Sequence, residues 1–140
     1  MKIKRIEHVG VVVRNLEASR NLWENVLGIK LDAYEHTPGR PHRLALYPVG
    51  ESMVELLAGI EPDSKFAKMC DDGKAGINHI CFEVEDIDEA LEELKAKGVP
   101  LIDQTPRIGH AGCRIAYLDP KGTEGCLIEL AELPKTPAHA

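Results

Sequence analysis

The stretch His8-Val9-Gly10-Val11-Val12-Val13-Arg14-Asn15-Leu16 returns, diverged, as His79-Ile80-Cys81-Phe82-Glu83-Val84-Glu85-Asp86-Ile87. His answers His, Val13 answers Val84, Asn15 answers Asp86 and Leu16 answers Ile87, all at one constant offset. Self-similarity of this kind marks a duplicated structural unit, and it governs how the rest of the chain is read. Each copy opens with a short, apolar, largely β-branched run, which is strand-like in length and composition. Each then passes into a helical period. Leu16, Ser19, Trp23, Val26 and Leu27 fall on one face of the first helix, and Ile87, Ala90, Leu91 and Leu94 on one face of the second. Asn15 and Asp86 are N-caps, Asp86 forms a capping box with Glu89, and Gly28 and Gly98 stop the helices.

Three strand candidates follow each helix: about 30–36, 43–49 and 53–58 in the first copy, and about 101–105, 114–119 and 127–131 in the second. The unit is βαβββ, used twice, which makes the fold class α+β. The two modules run from about 3 to 60 and about 76 to 133, within a single domain covering 1–140. Between them, Glu61-Pro62-Asp63-Ser64 reads as a turn and N-cap, Lys65 to Cys70 as a short helix and Gly73 to Gly76 as a linker. Arg107-Ile108-Gly109-His110-Ala111-Gly112 has the two glycines of a mobile cover and equally suits a plain surface turn, and the tail from Pro134 to Ala140 is expected to be loose.

Composition narrows the function classes. The chain has 140 residues, 17 Lys+Arg against 23 Asp+Glu, a net charge of −6 and only 4% aromatics. It lacks the basic footprint and stacking residues of a nucleic-acid binder. With 44% hydrophobic and 29% charged residues it has the balance of a folded globular protein. At this length folding buries roughly 68–70% of the extended chain's surface, enough for a core without staples. The longest apolar run near the start, Val9 to Val13, is far too short for a membrane span, and no cleavage site follows the N-terminus. Cytoplasm is the expected location. Cys70, Cys81, Cys113 and Cys126 form no Cys-x-x-Cys pair and read as free packing thiols.

The repeat preserves two residue types that folding does not require: a His opening the first strand and a Glu inside the last. Val54-Glu55-Leu56 parallels Ile128-Glu129-Leu130, and a carboxylate among such residues is costly when buried unless it is paired or bound to a metal. Strand alternation can bring His8, Glu55, His79 and Glu129 to one face of a curved sheet, where they could hold a divalent ion. Imidazole with carboxylate and no thiolate suits Mn²⁺, Fe²⁺, Co²⁺, Ni²⁺ or Zn²⁺, with positions left for substrate oxygens. The competing reading makes His8 and His79 hydrogen-bonded core histidines and turns Glu55 and Glu129 to solvent.

The duplicated pattern as a whole resembles the vicinal oxygen chelate superfamily, which includes glyoxalases, bleomycin resistance proteins and dioxygenases. Within it, Leu46-Tyr47-Pro48-Val49-Gly50-Glu51-Ser52, Gly76-Ile77-Asn78-His79-Ile80-Cys81-Phe82-Glu83-Val84, Gly98-Val99-Pro100-Leu101-Ile102-Asp103 and Asp119-Pro120-Lys121-Gly122-Thr123-Glu124-Gly125-Cys126-Leu127-Ile128-Glu129-Leu130 are similar to methylmalonyl-CoA epimerases. The resemblance implies a cupped eight-stranded mixed sheet around a divalent metal (Co²⁺, Mn²⁺, Ni²⁺ or Zn²⁺) held by His8, Glu55, His79 and Glu129. It also implies an acyl-CoA thioester substrate, a homodimer, and a catalytic role for Glu129 beside the substrate carbon. Lys121, following Pro120 beside the ligand strand, is the expected substrate-binding cation; Arg40, Arg43 and Arg107 are further cations in flanking loops. The family's loop glutamate falls on Gly39 when the loop is read without a gap; with a gap, Glu35 or His36 approaches the same place. Two alternatives share the ligand types or the fold: a glyoxalase I-like lactoylglutathione lyase, and a member that binds a small molecule without catalysis.

Overall fold

A computed structural model of the chain describes residues 1–36 and 41–135. Its elements are β1 (Ile3–Val12), α1 (Leu16–Arg20) continuing as a π-helical turn (Asn21–Val26), β2 (Ala33–His36), β3 (His42–Val49), β4 (Ser52–Gly59), α2 (Lys65–Asp71), β5 (Gly76–Val84), α3 (Ile87–Ala96), β6 (Arg107–Ile108), β7 (Arg114–Tyr117) and β8 (Ile128–Glu132). Residues 37–40, with Gly39 and Arg40, and 136–140 of the tail lie outside the described residues. Among the described residues no helix is long and apolar enough to cross a membrane.

The chain divides into two compact units, His8–His79 in one and Met1–Glu7 with Ile80–Ala140 in the other. Strands β1 and β5 run through both, and the strand order β2-β3-β4-β1-β5-β8-β7-β6 makes an eight-stranded mixed sheet. In the first unit β1 pairs with β4 in parallel, while β4 with β3 and β3 with β2 are antiparallel. The second unit repeats the scheme, with β5 parallel to β8 and β8, β7 and β6 antiparallel in turn. The α+β class and the twofold use of βαβββ follow directly from these pairings.

Each unit covers one sheet face with its helix. Ile87, Ala90, Leu91 and Leu94 of α3 are all buried against Val84, Ala116, Leu118 and Leu130, as their spacing predicts. Burying one such Leu or Ile is worth roughly 1.5–3 kcal/mol, so this stripe anchors the second unit. The Asp86 carboxylate accepts from Glu89 N–H at 3.0 Å, and Gly98 closes the helix at φ 74, a conformation natural to glycine.

The first helix departs from its expected regularity. Asn15 caps it, accepting from Ala18 N–H at 3.0 Å, and Gly28 ends it at φ 73. Between these ends the chain widens into a π-helical turn, with Leu27 N–H donating to Leu22 C=O five residues back. Wider winding shifts the later residues around the axis. Leu16 and Trp23 still reach the core with Ala45, Tyr47, Leu56 and Ala58, but Val26 and Leu27 turn outward, 68% and 55% exposed.

One expectation in the second module needs correction. The stretch 101–105 is no strand: it makes a single bridge, Leu101 with Leu118. The Asp103 carboxylate accepts from Tyr117 N–H at 2.8 Å, so a side chain takes the place a backbone carbonyl would fill in a ladder. Pairing resumes only at β6. In the stretch 107–112, Arg107 and Ile108 form β6 and His110 to Gly112 a short turn before β7. Gly109 is buried, its N–H donates to Cys113 C=O at 2.8 Å, and a Cβ there would stand 2.9 Å from Ile115 Cδ1.

Candidate metal centre

The faces of the first unit follow from its register. Gly10 lies beside Glu55 and His8 beside Met53; Glu55 in turn faces Leu46, and Leu44 faces both Leu57 and Glu35. Cross-strand partners share a face, so His8, Glu55 and Glu35 stand on one side, with Leu44, Leu46 and Leu57 forming an apolar cluster there. His36 pairs with Arg43 and faces the other way, exposed. Of the two residues that could stand in for the family's loop glutamate, only Glu35 shares the face of His8.

On that side His8 and His79 meet. They are 7% and 4% exposed, their Nε2 atoms are 3.0 Å apart, and their rings are nearly perpendicular at 86°. Burial deprives both imidazoles of water, so their nitrogens need partners inside the protein. His79 Nδ1 lies 2.8 Å from Asn78 Oδ1, within hydrogen-bond distance. Gly10 makes room for the ring: a Cβ on residue 10 would lie 2.6 Å from His79 Nδ1 and 2.7 Å from its Nε2.

The pair fits a divalent ion. Two nitrogens each about 2.1 Å from one ion and about 90° apart would be separated by about 3.0 Å, and the observed Nε2 to Nε2 separation is 3.0 Å. His8, His79, Glu129, Glu7 and Cys81 are buried side chains that each offer a donor atom of a kind that holds such an ion. Glu55 is half-buried on the His8 face.

Glu129 belongs to the second unit. It lies on β8 between Cys81 of β5 and Tyr117 of β7 and is 4% exposed. It shares its face with the small cluster of Cys81, Ile115 and Ala131. The reading that turns Glu129 to solvent is thereby overturned. Lys121 is exposed on the turn Pro120–Gly122, whose Asp119 carboxylate accepts from the Lys121 backbone N–H at 2.9 Å. The guanidinium of Arg107 lies 5.4 Å from the centre of the Tyr117 ring and pairs with Asp103 at 3.2 Å.

A separate polar network of the first unit is perturbed by burial and hydrogen bonding. Burial pushes the Tyr47 phenol up to about 12, and its hydroxyl donates to Glu24 at 2.7 Å. Hydrogen bonds from Arg20 first and Tyr47 second hold the Glu24 carboxyl below its usual range. Tyr47 pairs with Val54, so this network sits on the helix-covered face, opposite His8. It stabilises the fold.

Sequence reasoning passed over Gly10 and Asn78. A glycine inside a strand marks a close approach of another group, and that signal was present. Asn78 gave a weaker one, its place next to a repeated histidine.

Comparisons with known proteins agree with this architecture. Residues 7–117 match the glyoxalase/bleomycin resistance protein/dioxygenase superfamily. The chain is 37% identical over 135 residues to the mitochondrial methylmalonyl-CoA epimerase of Dictyostelium discoideum, covering 93% of this chain and 79% of that protein. Its fold matches the crystal structure of methylmalonyl-CoA epimerase from Mycobacterium tuberculosis with a TM-score of 0.87 at 31% identity, over 99% of this chain and 93% of that one. A Streptomyces coelicolor methylmalonyl-CoA epimerase variant in complex with 2-nitronate-propionyl-CoA matches with a TM-score of 0.85 at 28% identity, covering 97% of this chain and 100% of the other.

Proposed function

Since the chain belongs to the glyoxalase/bleomycin resistance protein/dioxygenase superfamily, we propose that it is a metal-dependent epimerase acting at C2 of methylmalonyl-CoA or a close acyl-CoA relative. The observation that carries the reading is the buried pair of imidazoles whose Nε2 atoms face each other at 3.0 Å. In a chain related over nearly its whole length to epimerases, two such nitrogens are best explained as ligands.

His8, His79, Glu55 and Glu129 hold the ion in this reading, and Co²⁺, Mn²⁺, Ni²⁺ and Zn²⁺ all suit two imidazoles and two carboxylates. When bound, a divalent cation supplies Lewis-acid stabilisation to a thioester oxygen as C2 loses its proton. The chain's own task is to move that proton. A carboxylate on one side of C2 takes it as general base, and an acid on the other side returns it, inverting the centre. Glu129, for which the family resemblance implies a position beside the substrate carbon, is proposed for one of these roles; it lies buried on β8, 4% exposed. Glu35 is proposed for the other, a choice supported over His36 by the register of β2. Leu44, Leu46 and Leu57 on the same face would keep water from the reacting carbon. Lys121, exposed beside β8, would meet a phosphate or carboxylate of the substrate.

The reading extends to a homodimer in the cytoplasm. Leu22, Val26 and Leu27, which are 46%, 68% and 55% exposed, are apolar surface that a second copy would cover, and four free cysteines suit a reducing compartment.

The test is proton NMR of methylmalonyl-CoA in D₂O with protein loaded with each of the four ions in turn. Loss of the C2 proton signal, abolished by chelator and reduced at least a hundredfold in Glu129→Gln, is the expected result. Absence of exchange with every ion overturns the reading and turns attention to hemithioacetals and to ligands bound without reaction.

A further inference from the structure

A histidine ligates through one ring nitrogen only when its proton sits on the other, so the partner of the far nitrogen decides whether the near one carries a lone pair. In His79 the far nitrogen is Nδ1, 2.8 Å from Asn78 Oδ1. An amide oxygen only accepts, so Nδ1 is the donor. A neutral ring with its proton on Nδ1 presents a lone pair at Nε2, the atom that lies 3.0 Å from His8 Nε2. The ring fills the space that a side chain on Gly10 would take.

We propose that Asn78 is a positioning residue that locks His79 in its Nδ1–H tautomer and so keeps the His79 Nε2 lone pair turned toward His8. His79 is thereby the ready-made ligand of the pair, its Nε2 lone pair set by a hydrogen bond on the far side of its own ring. The cation half of this inference rests on the proposed function; the tautomer half does not.

Ring tautomers are read from long-range proton–nitrogen correlation spectra of ¹⁵N-labelled, ion-free protein at about pH 8, above the usual histidine range. Wild-type protein is expected to show His79 as Nδ1–H, and saturation with Zn²⁺ to leave that tautomer unchanged. In Asn78→Ala the His79 signals should move toward a mixture of tautomers. Zn²⁺ affinity, measured by competition with a chromophoric chelator, should fall roughly tenfold or more. Asn78→Asp keeps an acceptor and should retain the tautomer. An Nε2–H tautomer at His79 in the wild type overturns the proposal without any variant. So does an Asn78→Ala protein with unchanged tautomer and affinity. Failure of the wild type to take up Zn²⁺ would count against the proposed function, while the ion-free spectra would still decide the role of Asn78.

Discussion

At the scale of single residues, the candidate centre depends on an atom that is missing. Gly10 faces the ring of His79 so closely that a methyl group there would lie 2.6 Å from Nδ1, well inside contact distance. Gly→Ala in a strand ordinarily gains stability by restricting the unfolded chain, but here steric overlap sets the sign. Gly10→Ala is expected to cost about 1–3 kcal/mol of stability and to weaken Co²⁺ binding at least tenfold, because the ring must leave its place. Thermal unfolding and a Co²⁺ titration followed by visible absorption check the two effects; unchanged affinity would show that the ring position is immaterial. The two histidines themselves were legible in the sequence, because duplication repeated them. Gly10 and Asn78 were not singled out, because their importance lies in distances to a ring that the backbone brings in from another strand.

At the scale of elements, the first helix and β3 are joined by a polar link within an apolar interface. Tyr47 is fully buried, its ring stacks on Trp23 with centroids 6.0 Å apart, and its hydroxyl donates to Glu24, which also receives Arg20 Nε–H at 2.8 Å. Tyr47→Phe is expected to lower stability by about 1 kcal/mol, or roughly 2–4 °C in Tm for a chain of this size. The pH dependence has a definite sign. Glu24 titrates below the ordinary value of 4.5 in the folded protein, so its contribution is complete above that value and is lost as pH falls through the lower one. The gap between wild type and Tyr47→Phe should therefore narrow in acid, as unfolding curves at neutral and acidic pH would show; a constant gap would refute the link.

Elements also show where local patterns lose their authority. The caps at Asn15 and Asp86 and the stops at Gly28 and Gly98 are short-range chemistry and were readable directly. The π-helical widening at Asn21–Val26 was not, because a regular period was assumed for Val26 and Leu27. Nor was the loss of the strand at 101–105, which turns on Asp103 accepting the Tyr117 N–H from a distant segment.

At the scale of the whole molecule, β1 and β5 each contribute residues to both compact units. Neither unit can keep all its strands while the other unfolds. We expect one cooperative transition, with calorimetric and van't Hoff enthalpies equal, as for a single domain. Two resolved transitions would show that the units fold independently and would remove the single-domain reading.

The duplication, the βαβββ order, the helix caps and the pairing of His8 with His79 and Glu55 with Glu129 were determined by the sequence alone. All of these depend on residue type and spacing along the chain, which a linear reading preserves. Only the tertiary structure decided that the two Nε2 atoms face each other at 3.0 Å, that Glu35 rather than His36 shares their face, and that Asn78 bonds the far side of His79. The physical reason is that these are through-space relations of a few ångströms. Strand register sets which face a residue occupies, a slip of one residue reverses it, and the register is fixed only when the strands pair.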